Sequence, residues 1–112
     1  MKKIALIVLL IAFSFPVFAD PPNAIHASYD KSRAELNVTV QHIVADRTTH
    51  FVNEVDIYKN GREVDVERFS FQTSHRNQTM PPIKIAAYVG DIFKIVAKCK
   101  NGGSKEITFT VK

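Results

Sequence analysis

The chain has 112 residues, 46% of them hydrophobic and 23% charged, and its single cysteine excludes an internal disulfide. Its formal net charge is +4, of which Lys2 and Lys3 supply half. The other basic residues are scattered among acids, so no basic block marks a nucleic-acid-binding surface. This length suits one small domain with a two-layer core and leaves little room for a buried active site.

Lys2 and Lys3 precede an apolar run over residues 4–15, interrupted only at Ser14, and Val17-Phe18-Ala19 ends in the small residue that signal peptidase requires. This is the pattern of a secretory signal peptide over residues 1–19. The run is shorter than the roughly 20 residues of a membrane span, and Pro16 breaks it. Asp20, not a cysteine, directly follows the cleavage site, so no residue there can carry a lipid. The mature domain, residues 20–112, is therefore expected to be exported, periplasmic or secreted, with no membrane span after cleavage.

Asp20-Pro21-Pro22-Asn23 is a stiff leader. Ile25, Ala27 and Tyr29 alternate with His26 and Ser28, the period of a strand. Residues 30–33 form a polar turn. Leu36, Val38 and Val40 alternate with Asn37, Thr39 and Gln41, a second strand, and His42 falls on the apolar parity where it ends. After a loop over residues 43–49, His50 opens a strand over residues 51–58. Phe51, Val55 and Ile57 share one of its faces, and Glu54 and Asp56 the other. Asn60-Gly61 supplies two positive-φ residues for a type I′ turn.

The chain returns through Val64 and Val66. The apolar parity then switches to Phe69 and Phe71, which predicts a bulge near Glu67-Arg68. Residues 72–78 are polar and read as loop. Met80-Pro81-Pro82 suits an edge segment, and Ile83 and Ile85 lead a strand to Tyr88. Gly90-Asp91 turns the chain. Phe93, Ile95, Ala97 and Cys99 line one face of the next strand. Asn101-Gly102-Gly103 is a further turn, and Ile107, Phe109 and Val111 mark the last strand. About seven short antiparallel strands at hairpin spacing, with no helical period, predict an all-β fold of the immunoglobulin-like β-sandwich type.

Three residues carry potential chemistry. His42 and His50 flank one loop, and Cys99 ends a strand just before a glycine turn. Imidazole and thiolate together suit iron, copper or zinc. Each also has a plainer role, the histidines as hydrogen-bonding residues and the cysteine as small core filler. His75 lies in the polar run Ser74-His75-Arg76-Asn77 and reads as solvated loop. Asp46, Glu54 and Asp56 could pair as acid and base, but outward acids on a strand usually serve solvation. Thr48 and Thr49 lie beside His50 without an orienting acid or an oxyanion motif. No glycine-rich phosphate loop occurs.

Two segments carry a resemblance. The first is His42-Ile43 … His50-Phe51-Val52, followed by Val55-Asp56-Ile57-Tyr58-Lys59-Asn60-Gly61. The second is Gly90-Asp91 … Ile95-Val96-Ala97-Lys98-Cys99-Lys100-Asn101-Gly102-Gly103. Together they resemble the iron-binding domain of the desulfoferrodoxin and superoxide reductase family, over the chain from about Ile25 onward. The resemblance implies an immunoglobulin-like sandwich. It also implies an iron site in which four equatorial histidines and an axial cysteine thiolate support the reduction of superoxide.

The chain departs from that pattern. Ile43 stands where the family has proline, and the loop between the histidines is longer. Lys100, Asn101, Gly102 and Gly103 occupy the stretch where the last ligand histidine belongs. The family's first histidine has His26 as its nearest counterpart, in a different strand context. The resemblance thus carries His42, His50 and Cys99 over as metal ligands, in a cluster expected to be loose or incomplete.

The expectation is a non-catalytic binding or structural module of the bacterial envelope, one that has lost the full iron site and engages an unidentified protein or small molecule. The alternative is an iron-binding redox protein related to superoxide reductase, using His42, His50 and Cys99. The missing histidine weighs against an enzyme.

Overall fold

The structure, a computed structural model, describes residues 20–112; the signal peptide expected over residues 1–19 lies outside the described residues. The alternating stretches form eight strands: β1 (Ala24–Asp30), β2 (Glu35–Gln41), β3 (Val52–Lys59), β4 (Arg62–Arg68), β5 (Asn77–Thr79), β6 (Ile83–Lys84), β7 (Ile92–Cys99) and β8 (Ser104–Thr110). They make two antiparallel sheets. One has the order β1-β2-β5, with β6 also pairing β2, and the other runs β4-β3-β7-β8. The described residues contain no helix.

Alternation places the core between the sheets. Leu36, Val38 and Val40 from β2 and Val55, Ile57, Phe93, Ile95 and Ala97 from β3 and β7 belong to one buried cluster. Aromatic rings extend it: the Tyr29 centroid lies 5.6 Å from that of Phe93, tilted against it, and Phe93 stacks on Phe109 at 5.5 Å. Burying side chains of this size contributes about 1.5–3 kcal/mol each, which is how a domain of this length stands without a disulfide.

Val52 and Val55 both face the core although they stand three positions apart, an odd spacing that regular pleating forbids. A register shift resolves this. Val52 pairs with Cys99 and Glu54 with Lys98, leaving Asn53 as the extra residue of a bulge. The bulge expected near Glu67-Arg68 is not there. Those residues pair in register with Val55 and Glu54, and the shift in this hairpin falls instead at Val64, between the Ile57–Asp65 and Tyr58–Glu63 pairs. The parity switch at Phe69 has a simpler cause: β4 ends at Arg68.

The strand expected from Ile83 to Tyr88 stops at Lys84. The Tyr29 hydroxyl donates to the Ile85 carbonyl at 2.6 Å and accepts from the Ala87 N–H at 3.0 Å, taking backbone groups that a ladder would have used. Residues 72–78 are not simply loop either. Asn77 begins β5, and Gln72 and Gln78 are fully buried.

Asp56 also differs from expectation. It is only 4% exposed, because Lys98 reaches across from β7 to both Asp56 and Glu54 at 2.9 Å. Those two carboxylates raise the Lys98 ammonium above its ordinary range, Asp56 contributing most. Lys98 in turn, helped by Asp56, holds the Glu54 carboxyl below its usual value.

Candidate metal centre

Four chain segments meet at one end of the sheets: the leader, the end of β2, the start of β3 and the end of β7. Each brings one donor atom.

His42 directly follows β2 and is 1% exposed. Its backbone N–H donates to the Arg76 carbonyl at 2.8 Å, and the Val44 N–H to the His75 carbonyl at 2.8 Å, so the strand edge continues for one more turn of pairing. The ring is fixed by Gln72, whose Oε1 lies 2.9 Å from His42 Nδ1. The same oxygen accepts from the Val52 N–H at 3.2 Å, while Gln72 Nε2 donates to the carbonyls of His42 at 2.6 Å and Ser74 at 2.9 Å. Those four contacts determine which end of the amide is oxygen. An oxygen can only accept, so Nδ1 of the neutral ring carries the proton and Nε2 carries the lone pair.

His50 arrives by a loop that Asp46 shapes. The Asp46 carboxylate accepts from the Thr48 N–H at 2.9 Å and the Thr48 hydroxyl at 2.7 Å, an Asx turn. The Thr48 hydroxyl is the main reason the Asp46 carboxyl titrates below its ordinary value. The Asp46 carbonyl then accepts from the His50 N–H at 3.0 Å. Asp46 is a loop-forming residue here, and the acid–base pairing considered for it has no partner in this geometry.

Cys99 is buried at the end of β7. Its N–H donates to the Gly103 carbonyl at 3.0 Å, and the Asn101 N–H donates to its sulfur at 3.4 Å. Burial pushes the thiol pKa up, the Asn101 N–H opposes that, and the nearby Asp20 carboxylate adds to the rise.

Asp20 completes the group. Its N–H donates to the Gly102 carbonyl at 3.1 Å. The next residue, Pro21, lies so close to the β7–β8 turn that a Cβ on Gly103 would come within 2.8 Å of Pro21 N. Gly103 also has φ of +87°, so both conformation and contact require glycine there. The Asn23 N–H donates to the Gln41 carbonyl at 2.7 Å, which joins the leader to the end of β2.

One ligand atom from each of Asp20, His42, His50 and Cys99 lies within 4.8 Å of all the others. The two imidazoles meet edge to face, with centroids 4.9 Å apart and planes at 84°. Asp20 Oδ2 contacts His50 Nε2 and stands 3.6 Å from His42 Nε2. Both Nε2 atoms are buried, and His42 Nε2 has no hydrogen-bond partner among the described residues. An ion pair with Asp20 would account for His50. It would leave His42 Nε2 orphaned, at a cost of about 1–3 kcal/mol.

The donor set is one carboxylate oxygen, two imidazole nitrogens and one sulfur. With the thiol ionised, its two negative charges balance a divalent cation, so the site fits a first-row metal of the zinc, iron or copper type.

The structure thus brings together His42, His50 and Cys99, the three ligands expected. His26 does not join them: it is exposed on β1, opposite Thr39. His75 is also exposed, with its Nδ1 3.2 Å from the Val44 carbonyl. Sequence reasoning missed Asp20, read only as part of a leader, and Gln72, read as polar loop. The proline pair after Asp20 was the one sign that the leader is held in place. No family model matches the chain, and no curated protein matches it in sequence.

Proposed function

We propose that this protein is an exported, desulfoferrodoxin-like β-sandwich of the immunoglobulin-like type, and that it binds one divalent transition-metal ion through Asp20, His42, His50 and Cys99. The observation that carries this reading is the buried His42 Nε2 without a hydrogen bond, beside a second imidazole, a thiol and a carboxylate. The metal would supply Lewis acidity or one-electron chemistry, according to its identity. The chain's own residues bind and enclose it: Gln72 orients His42, and Asp46 sets His50. The Asp20 side chain, 51% exposed, covers the outer side.

Superoxide reduction is not part of the proposal. The position of the family's last histidine falls in the β7–β8 turn, and the Lys100 ammonium there lies over the Phe51 ring, 5.3 Å from its centroid. Equilibrium dialysis of the envelope-processed protein against zinc and, without oxygen, ferrous ion tests the reading. One equivalent per chain is expected, falling at least tenfold in affinity in His42→Ala and Cys99→Ser. Binding that is absent in the wild type, or unaffected by both substitutions, would reject it.

A further inference from the structure

The signal-peptide pattern places the cleavage point between Ala19 and Asp20. Asp20 is also the residue whose carboxylate joins His42, His50 and Cys99. Two independent readings, one from sequence and one from geometry, therefore meet at a single residue.

We propose that export completes the metal site: removal of residues 1–19 frees the α-amino group of Asp20, which then binds the metal together with the Asp20 carboxylate. This rests on the metal-binding reading above and extends it to a fifth donor atom and to the step that creates it.

The chemistry is simple. Before cleavage the Asp20 nitrogen belongs to a peptide bond, its lone pair delocalised into the Ala19 carbonyl and unable to bind a metal. Hydrolysis adds one water across that bond, leaving a carboxylate on Ala19 and an amine on Asp20. A neutral amine has a lone pair and two hydrogens. One hydrogen can keep the bond to the Gly102 carbonyl, now made at 3.1 Å by the Asp20 N–H, while the lone pair is offered to the metal. Amine and β-carboxylate of one aspartate close a chelate ring of six atoms, so the second donor binds at high effective concentration.

The surroundings hold that nitrogen near the other donors. Gly102, which accepts from it, donates its own N–H to the Cys99 carbonyl at 3.0 Å. Pro21 is seated on Gly103, where any side chain would collide with it. His42, 1% exposed with its Nε2 unpartnered, faces the same point. A leader so tightly held is unexpected in a mere connection to a discarded segment, and it suits a chain end that serves as a ligand.

The test uses the full chain expressed with its own N-terminus and recovered from the cell envelope. A second chain carries Gly-Ser inserted between Ala19 and Asp20, so that processing leaves two residues ahead of Asp20. Intact mass establishes the first residue of each product, and thermal unfolding checks that both are folded. Zinc affinity is then measured by competition with a chromophoric chelator. The Asp20-first protein should bind at least tenfold more tightly than the extended one, and zinc should protect its α-amine from acylation.

Equal affinities, an α-amine acylated at the same rate with and without zinc, or cleavage away from Ala19–Asp20 would each overturn the inference while leaving the four side-chain ligands standing. If neither product binds zinc, the metal-binding reading itself falls, and this inference with it.

Discussion

Gln72 is the residue on which the site's order depends most, though it offers no donor to the cluster. Its amide satisfies His42 Nδ1, the Val52 N–H and two carbonyls at once. Gln72→Leu keeps the volume and removes every one of those bonds. It should destabilise the fold by about 2–3 kcal/mol in urea unfolding, because the buried groups left behind find no water. It should also weaken metal binding, since nothing then holds the His42 ring with its lone pair inward. An unchanged midpoint would mean that water replaces the amide.

Lys98 makes the second residue-scale prediction. The Glu54 carboxyl is held below its unfolded value, so its contribution is present above that value, 4.5, and is lost as pH falls through the lower folded one. Lys98 is raised above its unfolded 10.5, so its contribution is complete below that pH and is lost only at still higher pH. Both are therefore intact at neutrality, and acid removes the carboxylate part first. Lys98→Met leaves Asp56 buried without its partner and should cost about 1–3 kcal/mol at pH 7, discounted from the fully buried case because Lys98 is 46% exposed. The difference from wild type should shrink below pH 4.5, as followed by thermal unfolding across pH.

Among the elements, the turns and strand ends set the site. Asn60 and Gly61 have φ of +53° and +82°, the type I′ geometry that their identity foretells. Gly61→Val should cost on the order of 1 kcal/mol or more in a denaturation midpoint, with metal affinity unchanged, because the hairpin lies away from the cluster. Gly103→Ala should lower both stability and metal affinity. It should cost a comparable amount at φ +87°, and its methyl also unseats Pro21, so metal affinity should fall, as it should in Asp20→Ala.

The strands with clean alternation, β2 and β7, were legible from the sequence, as was the convergence of His42, His50 and Cys99. The bulge at Asn53 was not, and the one expected near Glu67-Arg68 lies instead at Val64, because an extra residue changes parity without marking its own position in the composition. The buried glutamines were not legible either. Gln72 and Gln78 look like solvated loop residues until the backbone groups they satisfy are known. Asp20 was hidden for a different reason: its neighbours in space come from the other end of the chain.

Two sheets share one core, and their ends bring one potential donor atom from each of four distant segments within 4.8 Å of the others. A site assembled in this way should stabilise the fold when filled, by an amount that grows with free metal concentration. The thermal midpoint of the wild type should therefore rise with added zinc, while that of Cys99→Ser should barely move.

If one metal ion is held by the Cys99 sulfur together with nitrogen and oxygen donors of the same cluster, its own spectrum must show that sulfur. X-ray absorption at the zinc edge of the loaded, envelope-processed protein tests it most directly. One sulfur is expected at about 2.3 Å and a shell of nitrogen and oxygen at about 2.0–2.2 Å, with the sulfur lost in Cys99→Ser. A shell of nitrogen and oxygen alone in the wild type would contradict it.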